Sequence, residues 1–73
     1  TSQSTAYGNN ANAAHAHATA IGPDSATTMA NQIVLGTAAD VVEAPGSIVL
    51  HSPSGFRFLL TVDDSGDIST TQL

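Results

Sequence analysis

Two of the chain's three histidines, His15 and His17, stand one residue apart in the stretch NAAHAHATAIG, residues 12–22. Imidazole nitrogens bind first-row transition metals, and in a β-strand alternate side chains share a face. This pair would then lie on one side of the strand, about 7 Å apart along the chain. Three parallel copies around an axis would supply six nitrogens. That number suits an octahedral ion such as Fe2+ or Ni2+ better than tetrahedral zinc.

The acidic residues favour turns over a calcium site. Asp63, Asp64 and Asp67 form the stretch DDSGD with a serine and a glycine, but it has neither the ordered spacing nor the distal glutamate of a calcium loop. A hairpin turn with solvated carboxylates is the preferred interpretation. Asp24, directly after a proline, is also predicted to form a turn.

The sequence predicts no catalytic residues. Asp40 and Glu43 lie three residues apart, but two carboxylates without a cleft do not make a glycosidase. The serines do not occur in a G-x-S-x-G motif with a histidine base. We therefore predict that the chain is not an enzyme.

The composition indicates that a single copy is hard to stabilise. The chain has 73 residues and is 41% hydrophobic, but much of that share is alanine, with two phenylalanines, one tyrosine, no tryptophan and no cysteine. Such a chain can bury only a marginal core, and disulfides are excluded. Oligomerisation and a bound metal are the remaining routes to stability.

The charge of the chain restricts its partners. Arg57 is the one lysine or arginine against six acidic residues, which gives a net charge of −5. This balance argues against nucleic acid and against an anionic membrane surface, since both attract basic patches. No apolar run reaches the length needed to insert into a membrane.

A repeat of fourteen residues organises the first half of the chain. Gly8, Gly22 and Gly36 are fourteen residues apart, and an apolar residue precedes each of them. Fourteen residues suit one rung of a β-solenoid, with two short strands and two tight turns. Small residues at period two would let the two sides of each rung approach closely. They are Ala11, Ala13, Ala18 and Ala20, followed one rung later by Ser25, Thr27, Gln32 and Val34.

The second half of the chain predicts a terminal hairpin. The register drifts after Gly36, since IVLG at 33–36 is echoed by IVLH fifteen residues later. EAPGS at 43–47 and HSPSG at 51–55 predict turns. FRFLLTV at 56–62 is the strongest strand, with DDSGD as a turn and ISTTQL as the return strand.

Other interpretations of the histidines stay open. In a β-roll, His15 and His17 fall in the turn half of the rung, where they could be exposed or lie between chains without metal. A pH-sensitive contact is a third interpretation. His51 precedes a Ser-Pro turn and is predicted to be solvent-exposed.

The repeats resemble those in the heads of trimeric autotransporter adhesins. AYGNNANA and ATAIGPDSATTMANQIVLG are similar to that family's pattern, roughly S-x-A-I-G-x-x-A-x-A. The resemblance implies a left-handed parallel β-roll in a three-chain bundle. Met29 stands where the adhesin pattern often has a second glycine, and we expect neither a coiled-coil stalk nor a membrane anchor to follow.

The second half resembles the end of a bacteriophage tail fibre or tail spike, with IVLG…PG rungs and a SPSG-strand-DDSG-strand hairpin. Together with the departures from the adhesin pattern, this favours the phage interpretation. The resemblance also implies a metal role for His15 and His17, because such needles hold iron on the threefold axis with H-x-H pairs.

We therefore expect an all-β, trimeric fibrous structure, either a parallel β-roll or a triple β-helix, followed by a C-terminal β-hairpin. Residues 1–5 would be a flexible tail, residues 6–50 repeat rungs and residues 51–73 an interlocking strand-hairpin. The expected function is a stiff segment of a phage tail fibre or spike in the virion, with a host receptor such as lipopolysaccharide or an outer-membrane protein as its partner. The alternatives are a bacterial surface adhesin head and, less favoured, a polysaccharide-degrading tailspike domain.

Overall fold

The computed structural model describes residues 3–73, and the regular elements of this range are all β-strands. The all-β prediction is therefore confirmed. No helix in the described part of the chain has the length and apolarity needed to cross a membrane. The strands are β1 (Thr5–Tyr7), β2 (Thr19–Ile21), β3 (Ile33–Leu35), β4 (Ile48–His51), β5 (Arg57–Val62) and β6 (Ile68–Gln72). They belong to two compact units, Thr1–Val42 and Glu43–Leu73.

The first unit is a stack of parallel rungs. Strands β1, β2 and β3 form a parallel sheet in which Thr5 pairs with Thr19 and Thr19 with Ile33. On the other half of the rung, Asn12 and Ala26 form a parallel bridge with the same offset. The predicted fourteen-residue repeat is therefore confirmed. Each rung pairs its backbone with the next rung.

Each rung divides into two halves of seven residues because the chain turns in the same way at each corner. Every seventh residue has a left-handed backbone conformation, with φ between 56° and 62°. These residues are Gln3, Asn10, His17, Asp24 and Asn31. Asn, Asp and His tolerate this conformation better than most residues, which accounts for four of the five positions. The prediction that Asp24 forms a turn is confirmed.

Glycine is required at the corner that follows β1. Gly8 has a φ of 134°, and a Cβ at this position would lie 2.6 Å from the carbonyl carbon of Gly22. The backbones of adjacent rungs approach too closely there for any side chain.

Only small side chains are fully buried in the first unit. Among residues 3–73, the buried ones are Ala13, Ala18, Ala20, Ser25 and Thr27. All five belong to the period-two set predicted from the sequence. The Ser25 hydroxyl donates to the Gly22 carbonyl oxygen at 2.7 Å, so its burial leaves no unpaired polar atom. The interior is therefore thin, and the large apolar side chains lie outside it.

The parallel rungs end after Leu35 because the next turn is shifted by one residue. In the first two rungs the turn begins at the glycine, whereas here the Asp40 amide donates to the Thr37 carbonyl. The Asp40 carboxylate accepts from the Thr37 amide at 2.7 Å and from its hydroxyl at 3.1 Å. This slip corresponds to the drift in register after Gly36.

The second unit is an antiparallel sheet in the order β4, β5, β6. The predicted hairpin is present, with β5 and β6 joined by a turn at 63–67. The turn predicted at 51–55 connects β4 to β5, but it begins one residue later because His51 still belongs to β4. Residues 48–51 do not form a further parallel rung as predicted, because β4 pairs antiparallel with β5. The short turn after His51 sends the chain straight back along β4, and only antiparallel pairing is then within reach.

The boundaries of the predicted segments also differ from the structure. The division falls after Val42 rather than at residue 50. Of the predicted tail at 1–5, residues 1 and 2 lie outside the described residues. Gln3 occupies a turn and Thr5 begins β1, so the rungs start within the predicted tail.

Candidate functional site

The predicted metal ligands lie in a turn. His15 begins the corner at residues 15–18, where the Ala18 amide donates to the His15 carbonyl oxygen at 3.3 Å. His17 has the left-handed conformation of this corner, with a φ of 56°. The prediction that both rings lie on one face of a β-strand is therefore wrong. The repeat also predicted, as an alternative, that the two histidines lie in the turn half of the rung. This is the position observed.

His15 connects two adjacent rungs. Its Nδ1 atom lies 2.9 Å from Oγ1 of Thr27, a residue that is 7% exposed. The hydroxyl can donate to a neutral ring or accept from its N–H group, and either arrangement makes a hydrogen bond. The imidazole is half-buried, and this contact engages Nδ1 but not Nε2. His15 therefore has a structural contact and retains one ring nitrogen for a further ligand.

His17 acts primarily as a corner residue. Its side chain is exposed, and its position in the rung corresponds to Gln3 one rung before and Asn31 one rung after. Histidine is one of the few residue types enriched in this backbone conformation. The two histidines of the H-x-H pair therefore have different structural roles in one turn. His15 bonds to the next rung, and His17 has the left-handed backbone conformation.

A metal on this pair would require other copies of the chain. Within residues 3–73, no three His, Cys, Asp or Glu side chains come together as a metal-binding group. One chain offers two imidazoles at the corner, of which His17 is exposed and His15 has Nε2 unengaged. This donor set fits a shared site in which each copy contributes part of the ligands.

The acidic residues of the second unit support a hairpin turn. The Asp63 carboxylate accepts from the Ser65 amide at 2.9 Å and from the Asp67 amide at 3.0 Å. Gly66 follows with a φ of 86°. Asp63 therefore braces the turn with its side chain, as Asp residues commonly do. Asp64 and Asp67 are exposed, as is Glu43 in the preceding segment.

His51 lies at the end of β4, is exposed as predicted and is paired in register with Arg57.

The outer surface of the parallel sheet was not predicted as a feature. Tyr7, Ile21 and Leu35 occupy equivalent positions on β1, β2 and β3, and they are 76%, 41% and 52% exposed. Ile33 lies two residues before Leu35 and is 70% exposed. The sequence signal was the apolar residue before each glycine. Ala20 and Val34 alternate with these residues along the strands and point to the interior. The large side chains next to them therefore point outward.

Comparison with protein-family models, curated proteins and solved structures finds no match for this chain.

Proposed function

We propose that this chain is a structural and recognition segment of a homotrimeric phage tail fibre or tail spike, located in the virion. Its β-roll rungs provide stiffness, and its terminal hairpin sheet interlocks with other copies. The exposed corners and loops contact a host surface receptor, such as lipopolysaccharide or an outer-membrane protein. The role is mechanical and not enzymatic, and it involves neither nucleic acid nor membrane insertion.

The observation that carries the proposal is which side chains are buried: small ones lie inside, and large apolar ones are exposed to solvent. The buried side chains are alanine, serine and threonine, whereas Tyr7, Ile33 and Ile68 are at least 70% exposed. Burying a large apolar side chain is worth about 1.5–3 kcal/mol, and a single copy gains little of this. Association with other copies would recover it, because surfaces left open by one chain become covered in the assembly.

The shape of the rungs supports a fibre. Each rung repeats the same fourteen-residue offset, with matched corners every seven residues and glycine where the backbones approach. Stacked rungs make a stiff element because every rung is hydrogen-bonded to the next. A host-binding fibre needs this stiffness to hold its recognition surfaces away from the particle.

The proposed fibre includes a metal site as a separate element. His15 and His17 of three copies would hold an octahedral ion, Fe2+ or Ni2+, and the ion would pin the copies in register. His15 would bind through Nε2, because Nδ1 is engaged by Thr27. A hydrogen bond to the second ring nitrogen is common for metal-binding histidines, since it fixes the orientation of the ring.

The native mass of the assembly tests the proposal. Sedimentation equilibrium should give three times the chain mass of 7.3 kDa. A monomer over the accessible concentration range would overturn the fibre. Elemental analysis of the same sample tests the metal separately, because a trimer without iron or nickel leaves the fibre standing and removes the site.

The runner-up is a head segment of a trimeric bacterial surface adhesin, and the parallel rungs favour it as much as they favour a phage fibre. The full-length gene distinguishes the two, since an adhesin head is followed by a coiled-coil stalk and a membrane anchor. A polysaccharide-degrading tailspike domain is the third candidate. Incubation with bacterial surface polysaccharide tests it, because release of oligosaccharides would contradict a purely mechanical role.

A further inference from the structure

The β4–β6 sheet has one face that is mainly apolar. Residues paired across antiparallel strands point to the same face, so the register groups six large side chains. We call this group the apolar face; it consists of Ile48, Leu50, Phe58, Leu60, Val62 and Ile68. Two polar residues, Thr70 and Gln72, lie on the same side of the sheet. We call the opposite side the mixed face; it carries His51, Arg57, Thr61, Ser69 and Thr71, together with Val49 and Leu59.

The apolar face is uncovered in a single copy. Ile48, Leu50, Val62 and Ile68 are between 48% and 72% exposed. An open cleft of about 190 Å³ lies over Ile48, Leu60, Val62 and Ile68, next to the segment 44–47. None of residues 43–73, all of which the structure describes, is buried. A small sheet needs its apolar face packed against something to be stable in water.

Charge favours a second copy of the chain as the occupant. Copies that each carry a net charge of −5 repel one another, so they can meet closely only where charges are absent. The strand residues on this side of the sheet, all within the described range, include no charged side chain. Arg57 lies on the other face, and Asp63, Asp64 and Asp67 lie in the turn beyond the strands.

The area also fits an interface between copies. The exposed parts of the six side chains amount to on the order of 400 Å² of apolar surface. A standard interface takes about 800 Å² from each partner, of which roughly 60% is apolar. The apolar face alone therefore approaches the apolar contribution that one partner makes to a stable interface.

We propose that the apolar face of the β4–β6 sheet is the surface through which copies of this chain associate, each covering the face of another. This inference rests on the proposed homotrimer and specifies which side of the terminal sheet interlocks. The mixed face, with Arg57 and His51, then remains on the outside of the assembly.

Thiol accessibility tests the assignment, since the chain has no cysteine of its own. Ile68→Cys places a thiol on the apolar face, where the native side chain is 72% exposed in one copy. Thr71→Cys is the matched control, because it lies three residues later on β6, is also exposed and points to the mixed face. In the native assembly, we expect the Ile68→Cys thiol to be alkylated at least ten-fold more slowly than the control. Dilution that dissociates the copies should bring the two rates together.

Sedimentation of the unlabelled protein and both variants separates the outcomes. A trimer whose two thiols react at the same rate overturns the apolar face while the homotrimer stands. A monomeric unlabelled protein overturns the homotrimer and this inference with it. A protected Ile68→Cys thiol in a monomer means that the chain covers the face itself, which also overturns the inference.

A charge substitution gives a second readout. Ile68→Lys should raise the concentration of half-dissociation at least ten-fold, although it lowers the net negative charge and so weakens general repulsion. Thr71→Lys makes the same charge change on the mixed face and should leave that concentration unchanged. Equal dissociation of the two variants would contradict the proposal.

Discussion

His15 Nδ1 and Thr27 Oγ1 lie 2.9 Å apart, although Thr27 comes twelve positions later in the chain. The contact joins a corner of the first rung to the interior of the second. It is a side-chain hydrogen bond added to the backbone ladder between rungs, and it engages a residue that the sequence predicts as a candidate metal ligand.

Replacing Thr27 with valine should weaken the first unit. Thr27→Val keeps the shape of the buried side chain but removes the hydroxyl that bonds His15. Because His15 is only half-buried and water can replace part of the bond, we expect a loss of about 1 kcal/mol in the free energy of unfolding. Urea unfolding measures this loss.

Thr5→Val is the matched control for that experiment, since Thr5 lies on β1 with an exposed side chain. It should leave the free energy of unfolding within about 0.5 kcal/mol of the parent chain. If Thr27→Val were as stable as this control, the bond to His15 would contribute nothing.

Substitutions at His17 separate its role in the turn from a role in metal binding. His17→Gly relieves the left-handed backbone and should stabilise the chain by about 0.5–1 kcal/mol, measured by urea unfolding with a chelator present. His17→Val should destabilise it by about 1–2 kcal/mol, because a β-branched residue is strained at a φ of 56°.

The same unfolding experiment without chelator tests the metal. If three copies share an ion through His15 and His17, His17→Gly will lower stability in the metal-loaded protein and raise it in the stripped protein. Stabilisation of equal size under both conditions would exclude a metal contribution from His17.

Adding one methyl group at Gly8 should disrupt the stacking of rungs. Gly8→Ala places a Cβ 2.6 Å from the carbonyl carbon of Gly22 at a φ of 134°, so the backbones must separate. We expect a loss of at least about 2 kcal/mol from the strain and the overlap together. Thermal unfolding followed by circular dichroism reports it.

Gly46→Ala provides the comparison, because a Cβ at Gly46 meets no atom within 4 Å. Its melting temperature should change little. A similar fall for both variants would mean that chain flexibility, and not the close approach of rungs, sets the requirement for glycine.

The hairpin turn depends on one of its carboxylates. Asp63→Ala removes the acceptor for the amides of Ser65 and Asp67 and should cost about 1 kcal/mol of stability in the second unit. Asp64→Ala, one residue later and exposed, should cost less than about 0.5 kcal/mol. Amide hydrogen exchange in residues 63–68 localises the effect, and equal exchange in the two variants would show that Asp63 does not brace the turn.

Much of the fold could be predicted because it depends on local chemistry. The spacing of Gly8, Gly22 and Gly36 reports where the backbone turns in each rung, since all three have a positive φ. Alternation of side chains along a strand identified the interior, including Ala20 and Thr27. The terminal hairpin was likewise predictable, because a strong strand precedes its turn.

The candidate site was less predictable because H-x-H has the same spacing in a strand and in a corner. Its side chains share a face only in the strand. The structure assigns His17 to a left-handed corner, and the same conformation at Asn10, Asp24 and Asn31 explains why. The contact from His15 to Thr27 depends on how one rung lies over the next, which no local pattern encodes.

We could predict the fourteen-residue period, the small interior and the terminal strands from the sequence, because these follow from side-chain size, alternation and turn preference within a few residues. The structure was needed to show that the Asp40 side chain accepts from Thr37 in the turn where the rungs end, and to show which large side chains are left uncovered. The Asp40–Thr37 contact spans only three residues, whereas the exposure of the large side chains depends on the pairing of strands distant in the chain. Within each sheet, backbone pairing sets which side chains share a face. It therefore decides which large side chains a single copy leaves exposed.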